Sequence, residues 1–307
     1  MGYTAKDVVT LRERTGVGMK ACRDALEAAG GDMEKAIDVL REKGLAAAAK
    51  KSGRIAAEGV VYAAADNAKK VGVIVEVNSE TDFVAKNAEF QAFVKSVAEV
   101  IAAQNPADVD ALLDCPIEGS ADVKTALQAK ILSIGENLSI RRFTRYEGDC
   151  VAYIHGGGRI GVLVKFEADA AASGSAALEE CGKDVAMQVA ALNAEFLSEA
   201  TVPADAIARE REVILGQIQN DPKTANKPEQ VIQKMIDGRM AKFFKENCLL
   251  NQEFVKNGDI TVGQYIDQQA KAAGGAMTVV AYTRYEKGEG LQKREDDFAA
   301  EVAGMVK

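Results

Sequence analysis

The sequence predicts an α+β protein: an N-terminal three-helix bundle, then a duplicated core of two small antiparallel β-sheets with helices, a helical-hairpin insertion and a C-terminal helix. Three observations carry that prediction. Apolar residues recur at helical spacing in three short runs before residue 45. From Arg54 onward one strand-and-helix pattern occurs twice. Inside the second copy, two long amphipathic runs flank a Pro-bearing turn.

The bundle occupies residues 1–45. Thr4 caps a helix carrying Val8, Leu11 and Arg12, which Thr15-Gly16-Val17-Gly18 breaks. Met19, Cys22, Ala25 and Leu26 stripe the second helix, which Gly30-Gly31 ends, and Asp32 caps a third with Ile37 and Leu40. A segment this short is near the lower limit for a core that folds alone, so it reads as a small docking domain. With its Gly16-x-Gly18 loop it resembles a ubiquitin-associated (UBA-like) bundle. Residues 46–54, opening with four alanines, read as a linker with helical propensity at its start.

The core N-subdomain is assigned to 55–147 and the C-subdomain to 148–199 and 246–286. Glu58-Gly59-Val60-Val61-Tyr62 is echoed by Glu147-Gly148-Asp149-Cys150-Val151-Ala152-Tyr153, and Val71–Val77 by Ile160–Phe166. A helix at 82–102 matches one at about 176–192, and Phe143–Glu147 matches Tyr282–Glu286. Each copy reads strand, strand, helix, insertion, strand, with hairpin turns at Asp66-Asn67 and Gly156-Gly157-Gly158. The insertion at 200–245 carries Ile207, Arg211, Ile214 and Ile218, then Ile232, Ile236, Met240 and Phe243, the spacing of a helical (coiled-coil) hairpin. Residues 287–307 end the chain with a stripe of Phe298, Val302 and Met305.

The copies differ at one corner. Asn78-Ser79-Glu80-Thr81-Asp82-Phe83-Val84 joins strand to helix in the first copy, where the second has the Ala-, Ser- and Gly-rich 167–175. Two readings fit. Ser79 and Asp82 have the spacing of a helix-start signal, and Phe83, seven residues before Phe90, would then be the first rung of a buried stripe with Val94, Val97 and Ile101. Alternatively, the corner projects Asp82 and Phe83 toward a partner. The lack of a comparable brace in the second copy favours the projecting role.

Composition narrows the function. A formal net charge of −8 argues against direct nucleic-acid binding, which needs clustered Lys and Arg. Five scattered cysteines without a C-x-x-C pair read as reduced thiols. No apolar run reaches the ~20 residues that cross a bilayer, so the expectation is a cytoplasmic protein. The one histidine, His155, cannot build a multi-histidine metal site, and no nucleophile elbow or phosphate loop is present. Gly156-Gly157-Gly158 precedes a strand and not a helix, so it reads as a turn. No enzyme activity, metal or cofactor is expected.

The run Thr81-Asp82-Phe83-Val84-Ala85-Lys86 resembles the signature of the elongation factor Ts family. The likeness extends to Leu11-Arg12-Glu13-Arg14-Thr15-Gly16-x-Gly18-Met19, Gly135-Glu136-Asn137 before Ile140-Arg141-Arg142, Gly238-Arg239-Met240 and Asp297–Val302. It implies a guanine-nucleotide exchange factor for the translational GTPase elongation factor Tu. In that family the corner enters the GTPase, so the resemblance assigns Thr81, Asp82, Phe83 and Val84 to dislodging its magnesium ion. Leu11, Arg12 and Met19 become secondary partner contacts. His155 is either an ordinary hairpin-end residue or, as the resemblance has it, a further contact. The helical hairpin either packs on itself or self-associates. The competing reading is a UBA-type adaptor without exchange activity, which leaves the Asp82-Phe83 corner unexplained.

Overall fold

The computed structural model describes residues 2–292. The three-helix bundle is α1 (Ala5–Thr15), α2 (Met19–Ala28) and α3 (Met33–Lys51). Thr4 and Asp7 form a reciprocal capping box on α1, and Asp32 caps α3 by accepting from the Glu34 and Lys35 amides. Val8, Leu11, Val17, Cys22, Ala25, Leu26, Ala36 and Leu40 make the bundle's buried core.

The segment read as a linker is mostly helix. Four successive alanines carry α3 on to Lys51, because nothing before Gly53 disfavours it and Lys50 and Lys51 suit a helix C-terminus. This extension lies against a helix of the core, α7 below. Gly44 faces that helix, where a Cβ would make ordinary contact, 3.5 Å, with the Gln128 backbone. Ala129 and Leu132 of that helix pack into the bundle's apolar cluster, and Lys51 Nζ donates to the Ile131 carbonyl at 3.2 Å.

The first half of the core is β1 (Glu58–Asp66), β2 (Val71–Ser79), α4 (Asp82–Ala85), α5 (Ala88–Gln104), α6 (Val109–Leu113), α7 (Val123–Ile134) and β3 (Ser139–Glu147), with sheet order β1-β2-β3. The second is β4 (Asp149–His155), β5 (Ile160–Ala168), α8 (Ala176–Leu192), the arm α9 (Ala204–Asn220) and α10 (Glu229–Asn247), a small β6 (Glu253–Phe254) and β7 (Asn257–Thr261) ribbon, α11 (Val262–Ala273) and β8 (Met277–Glu286), with order β4-β5-β8. All these pairings are antiparallel.

The duplication extends to detail. Bulges interrupt β2–β3 at Glu76/Val77 and β5–β8 at Lys165/Phe166. Asn105 and Asn193 end α5 and α8 in the same left-handed conformation, φ 48°. Val73, Val75 and Val77 pack on Phe90, Val94, Val97 and Ile101. Val162, Val164 and Phe166 pack on Leu178, Cys181, Val185 and Val189.

The two sheets meet through Val61, Ile74, Cys150 and Leu163. Their approach requires glycine at two matched positions. A Cβ on Gly72 would sit 2.6 Å from Cys150 Cβ, and one on Gly161 2.5 Å from Val61 Cγ1. Reciprocal hydrogen bonds, Thr144 Oγ1 with Tyr285 OH and Tyr146 OH with Thr283 Oγ1, each 2.7 Å, make the junction close to two-fold symmetric.

In the arm, Ile214 and Ile218 of α9 bury against Ile236 and Met240 of α10, and Thr224 Oγ1 donates to the Ile218 carbonyl at the turn. The C-terminal stripe of Phe298, Val302 and Met305 lies outside the described residues. Among the described residues no helix is long and apolar enough to cross a membrane.

Candidate functional site

The helix expected to run from Asp82 is two helices. Asn87 takes an extended conformation and its Oδ1 accepts from the Glu89 amide at 2.8 Å and the Phe90 amide at 3.2 Å, so α5 begins anew. Asp82–Ala85 is therefore a separate single turn, and Phe83 leaves the buried stripe on which the heptad spacing to Phe90 placed it. The ring is 80% exposed. Burying such a side chain is worth roughly 1.5–3 kcal/mol, and the fold forgoes most of that.

The turn carrying the ring is held firmly. Thr81 donates both its amide (3.0 Å) and its hydroxyl (2.7 Å) to the Glu136 carboxylate. Ser79 Oγ donates to the Thr81 carbonyl at 2.9 Å, so Ser79 braces the backbone where a helix cap was expected. Val84 and Ala85 are buried in the first core cluster, and Gln91 Nε2 donates to the Ala85 carbonyl at 3.1 Å. Glu80 Oε1 accepts from the Asn137 amide (2.6 Å) and from Arg54 (3.3 Å).

Asp82 is half-exposed and does not cap the turn. Its Oδ2 accepts from Lys86 Nζ at 2.6 Å, and this bond is the main reason its carboxyl lies below the usual aspartate range. The same ammonium stands 6.0 Å from the Phe83 ring centroid, at the outer edge of cation–π distance. The exposed face of the turn is thus one aromatic ring flanked by one ion pair.

Sequence reasoning placed four residues at this corner, and the structure separates their roles. Phe83 and Asp82 face outward. Val84, expected at the partner surface, is a correction: it is buried and roots the turn. Thr81 is tied back to Glu136. That residue, with Glu80 and Asn137, was missed as part of the site. The signal was present in Gly135-Glu136-Asn137, which the resemblance singled out but whose role depends on a contact 55 residues away in sequence.

The secondary residues lie elsewhere. Leu11, expected as a partner contact, is fully buried in the bundle core and supports α1 instead. Arg12 is exposed, and Met19 is 44% exposed at the start of α2. His155 is exposed at the end of β4, its Nδ1 3.1 Å from Tyr153 OH. The hairpin after it rests on the first half, where the Val61 amide donates to the Gly158 carbonyl at 2.8 Å. A cleft of about 400 Å³ lies between this hairpin, β1 and the first turns of α5. The His155 hairpin therefore stands at α5, next in the chain after the Phe83 turn.

A larger cleft, about 710 Å³, separates the bundle from α5 and Ile117–Ala121. Its walls include the ion pairs Arg14–Glu34 and Lys130–Glu89, and it does not include the corner. No group of three His, Cys, Asp or Glu that could hold a metal occurs among the described residues.

Comparison with known proteins agrees with the geometry. The family model for Elongation factor TS matches residues 80–289, from Glu80 of the corner to Glu289 just past the last strand. The chain is 48% identical over 305 residues to the Elongation factor Ts of Clostridium perfringens (strain SM101 / Type A), covering 98% of each chain. It is 49% identical over 306 residues to that of Clostridioides difficile (strain 630) and 47% over 306 to that of Clostridium botulinum (strain Eklund 17B / Type B), with 99% of each chain covered. An exposed aromatic turn on a duplicated core, a match over most of the chain and relatives aligned end to end agree: the chain belongs to the elongation factor Ts family and is a translation elongation factor.

Proposed function

We propose that this protein is the guanine-nucleotide exchange factor of elongation factor Tu and works by binding, with no chemistry on a covalent bond. It binds the GDP-loaded GTPase, Phe83 wedges into an apolar slot beside the nucleotide site, and Asp82 contacts the same surface. The magnesium and phosphate contacts of GDP are disturbed, GDP leaves, and GTP later displaces the factor. Such negative coupling between two ligands of one protein is reciprocal in binding free energy. The setting is cytoplasmic, with no role for direct nucleic-acid contact.

The single observation that carries this reading is an 80% exposed phenylalanine on a turn tied down at Thr81, Val84 and Ala85. A ring that supported only its own fold would be covered. Preorganisation of the turn means that little conformational entropy is lost on docking.

Magnitudes require more than the ring. A nanomolar nucleotide is held by about 12 kcal/mol, and one buried Phe supplies about 1.5–3. A broad interface must provide the remainder, and only its preference for the nucleotide-free GTPase counts. The exposed Arg12, Met19 and His155, on separate elements, are suited to that breadth.

The test is release of labelled GDP from elongation factor Tu. With Phe83→Ala, kcat/KM for release should fall by roughly 10- to 100-fold, while the melting temperature of the factor stays unchanged. Normal release by this variant would overturn the wedge. Absence of release by the unaltered protein would leave the adaptor reading in its place.

A further inference from the structure

Glu76 is a fully buried carboxylate in the middle of β2. It accepts from Arg142 Nε at 2.6 Å, Arg141 Nη1 at 3.1 Å, Asn78 Nδ2 at 3.0 Å and the backbone amide of Gly288 at 2.7 Å. The bulge at Glu76/Val77 allows this, because it leaves Arg141 as an extra residue beside Arg142, the register partner of Glu76.

Burying ions is costly, and apolar replacements are often at least as stable. The duplication shows that the fold can do without them here. At the matching bulge of the second half, Lys165 stands opposite Ala281, with Val280 as the extra residue. The ionic cluster therefore answers some need other than forming the sheet.

What it holds is the segment after β8. Arg141 Nη2 donates to the Glu289 carbonyl at 2.6 Å. Arg142 Nη2 donates to the Glu286 carbonyl at 3.3 Å and to Glu289 Oε2 at 3.2 Å. Gly288 has φ 67°, and a Cβ on it would strike the Ala57 carbonyl, so this strap passes tightly over the root of β1. Lys287 pairs with Glu58 there. It also adds, after Lys86, to the field that holds the Asp82 carboxyl low.

We infer that Glu76 is a positioning residue for the exchange reaction: with Arg141 and Arg142 it clamps the strap Glu286–Leu291 against the root of β1, beside the Asp82–Phe83 turn. Strap and turn then present one fixed face to the GTPase. Contacts fixed relative to one another bind a common partner more tightly than the same contacts left to find it independently. The inference rests on the exchange reading for its consequence, not for the clamp itself.

Two readouts test it in the full-length protein. NMR-detected amide exchange should show Gly288 losing protection by about 10-fold or more in Glu76→Gln, while the β2 and β3 amides stay protected. Labelled-GDP release should show KM for GDP-loaded elongation factor Tu raised about 10-fold with kcat within about two-fold. Lys165→Gln, the matching position of the other half, should change neither. Gly288 protection unchanged in Glu76→Gln would overturn the clamp. A released Gly288 with unchanged KM, or a fall confined to kcat, would overturn the positioning role. If Glu76→Gln does not fold, Glu289→Gln decides: its side chain is at the surface, a raised KM supports the role and an unchanged KM overturns it. Failure of the exchange reading itself would be seen separately, as absence of GDP release by the unaltered protein.

Discussion

Phe83 and Glu136 show how a single residue is made available. The ring is presented because the backbone one residue before the turn is gripped twice by one carboxylate. Glu136→Ala leaves the Thr81 amide and hydroxyl without their partner, at a cost of about 1–3 kcal/mol. The expected outcome is a lower melting temperature together with slower GDP release, in contrast to Phe83→Ala, which affects release alone. The cysteines make a second residue-scale prediction. Burial pushes the Cys150 thiol up to about 11 and the Cys181 thiol up to about 12, and raises Cys22 and Cys248. Thiolate is the reactive form, so Cys115, the one cysteine that is not buried, should alkylate first and alone in the folded protein. Mass spectrometry after brief iodoacetamide treatment checks this.

At the scale of elements, ends were more instructive than middles. Thr4 and Asp32 were legible as caps because a short polar side chain before an apolar run is a local signal. Asn87 is the same kind of cap and was not legible, because the apolar spacing from Phe83 to Phe90 runs straight through it. Asn87→Ala should cost about 0.5–2 kcal/mol in chemical denaturation. The caps also set an acid limit. Asp7 and Asp32 are held below their ordinary value of 3.8, chiefly by backbone hydrogen bonding at Thr4 and from Lys35 respectively. A carboxyl whose folded pKa is depressed stabilises the fold above the unfolded value and loses that contribution as pH falls through the folded one. The melting temperature should therefore drop as pH is lowered below 3.8. Asp32→Asn, which keeps the cap without the charge, should flatten part of that drop. The alanine run after Leu45 taught the converse. Composition suggested a linker helical at its start, and the helix runs on to Lys51 against a neighbouring helix that covers it.

For the whole molecule, the duplication was readable from repeated strands, and with it a small antiparallel sheet in each half. How the halves join was not, because it depends on Gly72 and Gly161 meeting side chains of the opposite copy. Neither glycine signals this locally. Gly161→Ala should overpack the junction and destabilise the protein by about 1–3 kcal/mol, and Gly72→Ala should do the same. Calorimetry of both variants tests whether the matched positions carry matched loads. The outward placement of Phe83 was likewise one of two readings until the tertiary structure separated α4 from α5.

The helix α7 touches the bundle along its length, and its C-terminal end hands the chain to Glu136, which grips the aromatic turn. Twelve residues of helix make a rod of about 18 Å. Lying sideways against the bundle, such a rod ties the position of the bundle to that of the aromatic turn. Because α7 packs on the bundle through Ala129 and Leu132 and on the core through Val123 and Ile131, losing one helical turn would pull both sets of side chains out of place together.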